Sequence, residues 1–312
     1  MKRRNFLRNS LAGAAVLGTS SLAPGGLNEV FGQKAPCLNN EKNRKIKLGA
    51  SVMLFKPAEF DIVAPHIKAA GYAGTTVSLN TLVENFNTAK WKEEVRRLKT
   101  IAADNDLELM SAGSGSRDLE TTKHLFETAA ELGISIICCG PGGIPGDEAS
   151  YRKSIDELGA MAKIAAEYKI PLVCKAHDGH SVQNTTGLLR MINDIKNPYF
   201  CADIDPYHVF LAHESLTEAA RMLVPYLKYV HVQDFKLDSE GNFIKCNPTD
   251  RACGRGDVDI PGYLKVLIDE GYEGTLMVEF YGNGMDLSTA ISMAAQGHGY
   301  LNACLKMIGK NG

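Results

Sequence analysis

The sequence predicts a single (β/α)8 TIM barrel, and three observations support this fold class. From residue 45 onward, short apolar runs rich in β-branched residues alternate eight times with longer amphipathic stretches. Such alternation is typical of parallel strands joined by crossover helices. The stretch that carries it, residues 45–312, has the usual length of one barrel. No GxGxxG motif follows the first strand, which disfavours an open dinucleotide-binding sheet.

Each predicted strand coincides with one of the short apolar runs. They are approximately residues 46–52, 74–80, 107–113, 135–140, 171–177, 200–205, 229–235 and 275–281. A repeated pattern supports this arrangement, because Gly-Tyr-x-Gly-Thr begins at both Gly71 and Gly271 and leads from a helix into a strand each time. Glycine is suited to end a helix because it adopts positive φ without a steric penalty.

The first residues resemble an export signal and are not expected to belong to the barrel. Arg3 and Arg4 precede Phe6-Leu7-Arg8, and the apolar run that follows, residues 11–18, is too short to cross a membrane. This order resembles a twin-arginine leader, with an ordinary secretory leader as the alternative. We expect residues 1–25 to be the signal, 26–44 a linker and 45–312 the barrel, in a protein exported to the periplasm.

Charge and composition limit the classes of partner. The formal net charge is −2, so no basic field attracts nucleic acid or anionic lipid. Cys37 lacks a preceding apolar lipobox, and we expect no stable membrane anchor. The expected partner is a small molecule, and the sequence leaves a homo-oligomer open.

The cysteines give two further expectations. Cys246 and Cys253 share one loop and are the best candidates for a disulfide, which an oxidising compartment permits. Four others lie in apolar runs that are predicted strands and are expected to be buried free thiols. They are Cys138, Cys139, Cys174 and Cys201.

Polar side chains lie near the ends of four consecutive predicted strands. Parallel strands that are buried on both faces should be almost wholly apolar, so polar residues at their carboxyl ends indicate a function. Alternation along each strand places these residues on its inward face. They are Lys175 and His177 on the fifth strand, Asp203 and Asp205 on the sixth, His231 and Gln233 on the seventh, and Glu279 on the eighth.

The convergence of imidazoles and carboxylates predicts a divalent metal at the mouth of the barrel. This mixture suits Mn, Co, Zn or Fe, and Mg less well. Each residue alone has an ordinary structural explanation, such as a buried core histidine or a helix N-cap, but all of them at one layer favour a metal site. His180, Gln233 and Asp234, which accompany the same strand ends, are the predicted substrate-binding residues.

Nearly all of residues 45–308 resemble the xylose isomerase-like TIM barrel superfamily, in its sugar phosphate isomerase/epimerase branch. The strongest matching pieces are Asp205-Pro206-Tyr207-His208, residues 229–234, residues 254–259, Gly271-Tyr272-Glu273-Gly274 and Val278-Glu279. The resemblance implies that Asp205, His231 and Glu279 are metal ligands and that His208 contacts substrate.

The sequence departs from the family pattern on the fifth strand. Family epimerases usually have a glutamate there, as a metal ligand and acid/base residue, whereas this chain has Lys175. His177, two residues on, can supply the fourth metal ligand. Lys175 itself can act as a base, if burial lowers its pKa, or as a fixed positive charge that holds an enolate.

The resemblance implies a carbohydrate substrate and proton removal α to a sugar carbonyl, with Lys175, His208 and Glu279 as the catalytic residues. Reprotonation on carbon would give an isomerase or epimerase, which assumes least and ranks first. Loss of a β-substituent would give a 3-keto-glycoside lyase or hydratase, which export and Lys175 favour. A sugar-binding barrel without catalysis is a further alternative. An abasic-site endonuclease, which shares this barrel, is disfavoured by the leader and the net charge.

Overall fold

The predicted barrel is confirmed. A computed structural model describes residues 46–244, 247–280, 282 and 284–309, in which eight parallel strands close into one barrel in chain order. The predicted signal and linker, residues 1–25 and 26–44, lie outside the described residues, as do Cys37 and Cys246. Export through the twin-arginine route and assembly into a homo-oligomer therefore stay predictions.

The strands start within two residues of their predicted positions. They are β1 (Lys47–Ser51), β2 (Gly74–Val77), β3 (Glu108–Gly113), β4 (Ile136–Cys139), β5 (Leu172–Cys174), β6 (Phe200–Ile204), β7 (Leu227–Val232) and β8 (Thr275–Val278). Most end earlier than predicted, and β5 ends three residues earlier. The polar residues predicted for the carboxyl ends of β5, β7 and β8 thus mostly follow the strands.

Helices follow the strands around the outside of the barrel. The described helices are α1 (Phe60–Ala69), α2 (Asn80–Glu84), α3 (Ala89–Asp104), α4 (Leu119–Leu132), α5 (Glu148–Tyr168), α6 (Thr185–Ile195), α7 (Pro206–Leu211), α8 (Leu216–Leu223), α9 (Ile260–Asp269) and α10 (Leu287–Met307). Gly71 and Gly271, which follow α1 and α9, have φ angles of 102° and 86°, as the repeated pattern predicts. Among the described residues, none of the helices combines the length and the apolar character needed to cross a membrane.

The core has two layers, which alternate along each strand. The larger layer lies between strands and helices and includes Leu172, Cys174 and Leu276. The smaller fills the inside of the barrel and consists of Met110, Ile136, Val173, Cys201, Tyr229 and Met277. The polar residues predicted for the mouth come later in the chain than these inward-facing residues of β5, β7 and β8, so the inner layer forms an apolar floor beneath them.

Two predictions about the cysteines are wrong. Cys138, Cys139 and Cys174 are free thiols, as predicted, but Cys253 is also free and fully buried, so it forms no disulfide with its loop neighbour. Cys201 is disulfide-bonded. A position in an apolar strand predicts that a thiol is buried, but not whether it is bonded to another thiol. A shared loop places two thiols close in sequence, but it does not show that their sulfur atoms meet.

Gly74→Ala should destabilise the barrel, because β2 has no room for a side chain at this position. An added Cβ would lie less than 3.0 Å from the backbone oxygen of Glu108, on the paired strand β3. A backbone oxygen cannot rotate away, so we expect a loss of about 1–3 kcal/mol in the free energy of unfolding, measured by denaturant titration. Gly159→Ala, inside α5 with no atom near the added Cβ, is the matched control and should be neutral or stabilising by up to about 1 kcal/mol. Equal stability of the two variants would contradict this account.

Candidate active site

A buried ion pair joins the ends of β5 and β6. Lys175 Nζ donates to Asp205 Oδ2 at 2.9 Å, and their side chains are only 18% and 4% exposed. The other oxygen, Asp205 Oδ1, accepts hydrogen bonds from Gln233 Nε2 at 2.7 Å and from the backbone N–H of Tyr207 at 3.0 Å. Asp205 is therefore also the N-cap of α7, and both of its oxygens are engaged.

The surrounding charges keep both members of this pair ionised. Burial alone would lower the pKa of Lys175, but Asp205, Glu279 and Asp203 outweigh burial and raise it. Burial would likewise raise the pKa of Asp205, but Lys175 reverses this effect and the pKa falls below its usual range. Of the two roles left open for Lys175, a raised pKa is compatible with the fixed positive charge and disfavours the base, and its role in catalysis stays a prediction.

A second chain of polar contacts links β6, β7 and the residue after β8. His231 Nδ1 lies 2.9 Å from Asp203 Oδ2, and its Nε2 lies 3.4 Å from Glu279 Oε1. Burial opposes protonation of His231, but Asp203 outweighs burial and raises the pKa to about 10. Burial would raise the pKa of Glu279, whereas His231 and Lys175 lower it to about 2. Glu279 is therefore ionised at neutral pH.

Exposure distinguishes the three carboxylates of this cluster. The side chains of Asp203 and Asp205 are 2% and 4% exposed, whereas that of Glu279 is 31% exposed. Asp203 orients the imidazole of His231, and Asp205 is engaged by Lys175. Glu279 is the member of this set that can reach a ligand in the mouth.

Three histidines stack beside this cluster. The ring of His177 lies 4.4 Å from that of His180 and 3.9 Å from that of His208. Backbone groups hold each Nδ1 atom: His177 Nδ1 lies 2.6 Å from the oxygen of Asp178, while His180 and His208 accept from the N–H groups of Gly142 and Asp178. Accepting at Nδ1 leaves the proton on Nε2 in His180 and His208. Burial dominates the shift that lowers the pKa of His208 to about 4, so its imidazole is neutral.

The predicted metal ligands do not assemble around one point. Among the described residues, no group of three or more His, Cys, Asp or Glu side chains is placed to hold a metal ion. His177 belongs to the histidine stack, and Asp205 is bonded to Lys175. His231 and Glu279 remain as two neighbouring side chains that could each ligate an ion. A centre built from protein side chains needs three or four ligands, so the residues present do not fit the predicted divalent ion.

The predicted substrate-binding residues have different environments. His180 lies in the stack. Gln233 donates to Asp205, but its buried Oε1 has no hydrogen-bond partner within the described part of the chain, which leaves an acceptor available at the site.

Asp234, the third predicted substrate-binding residue, instead faces the loop after β7. Its carboxylate accepts hydrogen bonds from the N–H groups of Phe235 at 3.0 Å, Gly254 at 3.0 Å and Val258 at 3.1 Å. The predicted contact of Asp234 with substrate stays a prediction, and its visible role is to order this loop.

An aromatic group beside the histidine stack was not predicted. The ring of Tyr207 lies 5.5 Å from that of His208 and 5.2 Å from that of Phe243, and the guanidinium of Arg251 lies 4.8 Å from its centroid. Phe243 and Arg251 come from the same loop that Asp234 orders. The available sequence signal was the Tyr directly after Asp205-Pro206, but the loop partners are distant in sequence. The loop after β7 therefore forms one wall of the mouth.

Known proteins resemble this chain in sequence and in fold. A family model described as "Xylose isomerase-like TIM barrel" matches residues 64–304. An inosose dehydratase of Clostridium botulinum (strain Eklund 17B / Type B) is 23% identical over 280 residues, which cover 76% of this chain and 90% of the relative. A D-allulose 3-epimerase structure from Methylomonas sp. has a TM-score of 0.68 at 15% identity and covers 84% of this chain and 99% of its own. A structure of the IOLI protein with a zinc atom has a TM-score of 0.67 at 16% identity, covering 83% and 98%.

Asp234→Asn should loosen the loop after β7. An asparagine keeps one acceptor oxygen but turns an NH2 group toward a backbone N–H, so buried donors lose their partner. We expect a loss of about 1–3 kcal/mol in the free energy of unfolding and faster proteolysis within residues 236–259, measured by limited digestion. Asp238→Asn, at an exposed turn of the same loop where water can replace the carboxylate, is the control and should have a much smaller effect. A loop as resistant in Asp234→Asn as in the unmodified protein would show that this carboxylate does not order it.

Proposed function

Because the chain belongs to the xylose isomerase-like TIM barrel family, we propose that it is a carbon–oxygen lyase of keto-sugars or keto-cyclitols. The observation that carries this proposal is that one carboxylate at the mouth is paired with a lysine and another is accessible. Lys175 occupies Asp205, which leaves Glu279 as the accessible carboxylate of the cluster. Proton transfer across both faces of a carbon is served by two carboxylates, whereas an elimination can proceed with one.

The proposed reaction needs one base and a fixed positive potential. Glu279 accepts the proton α to the carbonyl, and the C–H electron pair forms an enolate. The ammonium of Lys175 stabilises the enolate charge without changing its own protonation state. The enolate then forms the double bond as the β carbon–oxygen bond breaks, and Glu279 returns its proton to the departing oxygen. Water or an alcohol leaves, so the carboxylate is regenerated and no further reactant is needed.

Two other groups are placed to orient the substrate. The neutral His208 carries its proton on Nε2 and can donate a hydrogen bond to a substrate oxygen. The buried Oε1 of Gln233 can accept one from a hydroxyl group. Hydroxyl-rich rings present both kinds of partner, which suits a carbohydrate or cyclitol better than an apolar ligand.

The relatives support the same choice. The Clostridium botulinum relative is named a dehydratase of inosose, and removal of water from a ketone with a β-hydroxyl group is the reaction proposed here. The sequence alone ranked an isomerase or epimerase first; the state of Lys175 and this relative reverse the order. Enzymatic activity on a carbohydrate is common to both candidates.

Glu279→Gln should strongly slow the elimination and leave the fold intact. We would incubate the full chain in D2O with an inosose and with a 3-keto-glycoside, and follow the enone by absorbance and the recovered substrate by NMR. The unmodified protein should release water or the aglycone, and Glu279→Gln should lower kcat/KM by about 10²–10⁴-fold, the usual contribution of a general base. Glu270→Gln, an exposed carboxylate next to α9 that pairs with Arg221, is the control and should retain full activity.

The other outcomes separate the remaining candidates. Deuterium in recovered substrate or formation of an epimer, without release of a leaving group, would replace the lyase with an isomerase or epimerase. Binding of the keto-sugar without conversion would indicate a barrel that only binds sugar.

A further inference from the structure

We infer that the Lys175 ammonium is the resident cation of this site and stands where a divalent metal would otherwise bind. The inference about charge is independent of the reaction, and its catalytic consequence rests on the proposed function. The supporting observations are the engagement of Asp205, the arrangement around His231 and the balance of charge.

At Asp205 an incoming metal ion would compete with the Lys175 ammonium for the carboxylate. Lys175 holds one oxygen, and Gln233 together with the N–H of Tyr207 holds the other. An ion bound there would have to displace Lys175, whose ammonium would then be buried without a carboxylate. A displaced ammonium would also remain within a few ångströms of the ion and repel it.

The contacts of His231 point the same way. Asp203 engages Nδ1, and Nε2 faces Glu279 Oε1 at 3.4 Å. These two side chains could supply two of the ligands of a metal centre, but the nearby Asp205, which could supply a third, is paired with Lys175. Lys175 Nζ lies 2.9 Å from Asp205 Oδ2, so the ammonium is held by a carboxylate of this cluster as a bound cation would be.

A lysine can replace a metal here without changing the total charge. A glutamate at position 175 together with one divalent ion would carry the same net charge as the present ammonium. The three carboxylates of the cluster therefore experience the same total charge in both cases. The two cases differ in whether the cation can leave, because the ammonium is covalently attached to the chain after β5, whereas a metal ion must be bound and can be released.

The decisive variant is therefore Lys175→Glu, which removes the ammonium and adds a carboxylate beside Asp205. We would strip the full-length protein with chelator, titrate it with Mn²⁺ or Zn²⁺, and measure bound metal by plasma mass spectrometry after gel filtration. The unmodified protein should hold no stoichiometric ion and keep its activity in chelator. Lys175→Glu should bind one ion per chain at least about 100-fold more tightly.

Two further variants identify the site of binding. Adding Glu279→Ala to Lys175→Glu should abolish the gained ion, since Glu279 would be one of its ligands. Lys175→Gln, which removes the charge without adding a carboxylate, should bind more tightly than the unmodified protein and more weakly than Lys175→Glu. Far-ultraviolet circular dichroism of each variant identifies any loss of fold.

The outcomes decide the inference separately from the function. One tightly bound ion in the unmodified protein, lost in Glu279→Ala, would overturn the inference even if Lys175→Glu does not fold. A folded Lys175→Glu that binds no ion would also overturn it, because the ammonium would not be what excludes the metal. A gain of metal by Lys175→Glu without turnover of any keto-sugar by the unmodified protein would uphold the inference and reject the lyase.

Discussion

The buried ion pair between Lys175 and Asp205 constrains the whole mouth of the barrel. A charge removed from water is stable only when it is paired and its remaining hydrogen-bonding capacity is met. Asp205 meets this condition through donors from the residue after β5, the segment after β7 and the first turn of α7. Because these donors come from three parts of the chain, the pair fixes the relative positions of the groups around the site. The start of α7 in turn places Tyr207 and His208 beside it.

The apolar floor requires the charged groups above it to be paired. Val173, Tyr229 and Met277 fill the inside of the barrel, and the ring of Tyr229 lies 5.1 Å from that of His231. The floor closes the inner end of the site and lowers the local dielectric, which strengthens attraction between paired charges and makes an unpaired charge costly. Each positive group above the floor accordingly has a carboxylate partner: Lys175 pairs with Asp205, and His231 lies between Asp203 and Glu279.

The sequence predicted the features that depend on local periodicity and missed those that depend on contacts between distant segments. Alternation identified the strands and the inward faces of Asp203, Asp205 and His231, because the period of a strand is fixed by its geometry. It misplaced His177, because β5 ends at Cys174 and alternation does not extend into a loop. The sequence left the two roles of Lys175 open for a different reason: the direction of its pKa shift depends on Asp203, Asp205 and Glu279, and a sequence does not give the distances to these carboxylates.

The same barrel can thus present a positive charge in two chemically different ways. A divalent ion gathers carboxylates as ligands and leaves open positions for substrate, so it can polarise a bound oxygen directly. An ammonium offers three donors and one charge, holds a carboxylate by hydrogen bonds and stabilises an anion at close range. The second arrangement suits a reaction whose main demand is an enolate held beside one base. In this chain a single residue at the end of β5 decides between them, because it changes both the ligand count and the charge of the cluster.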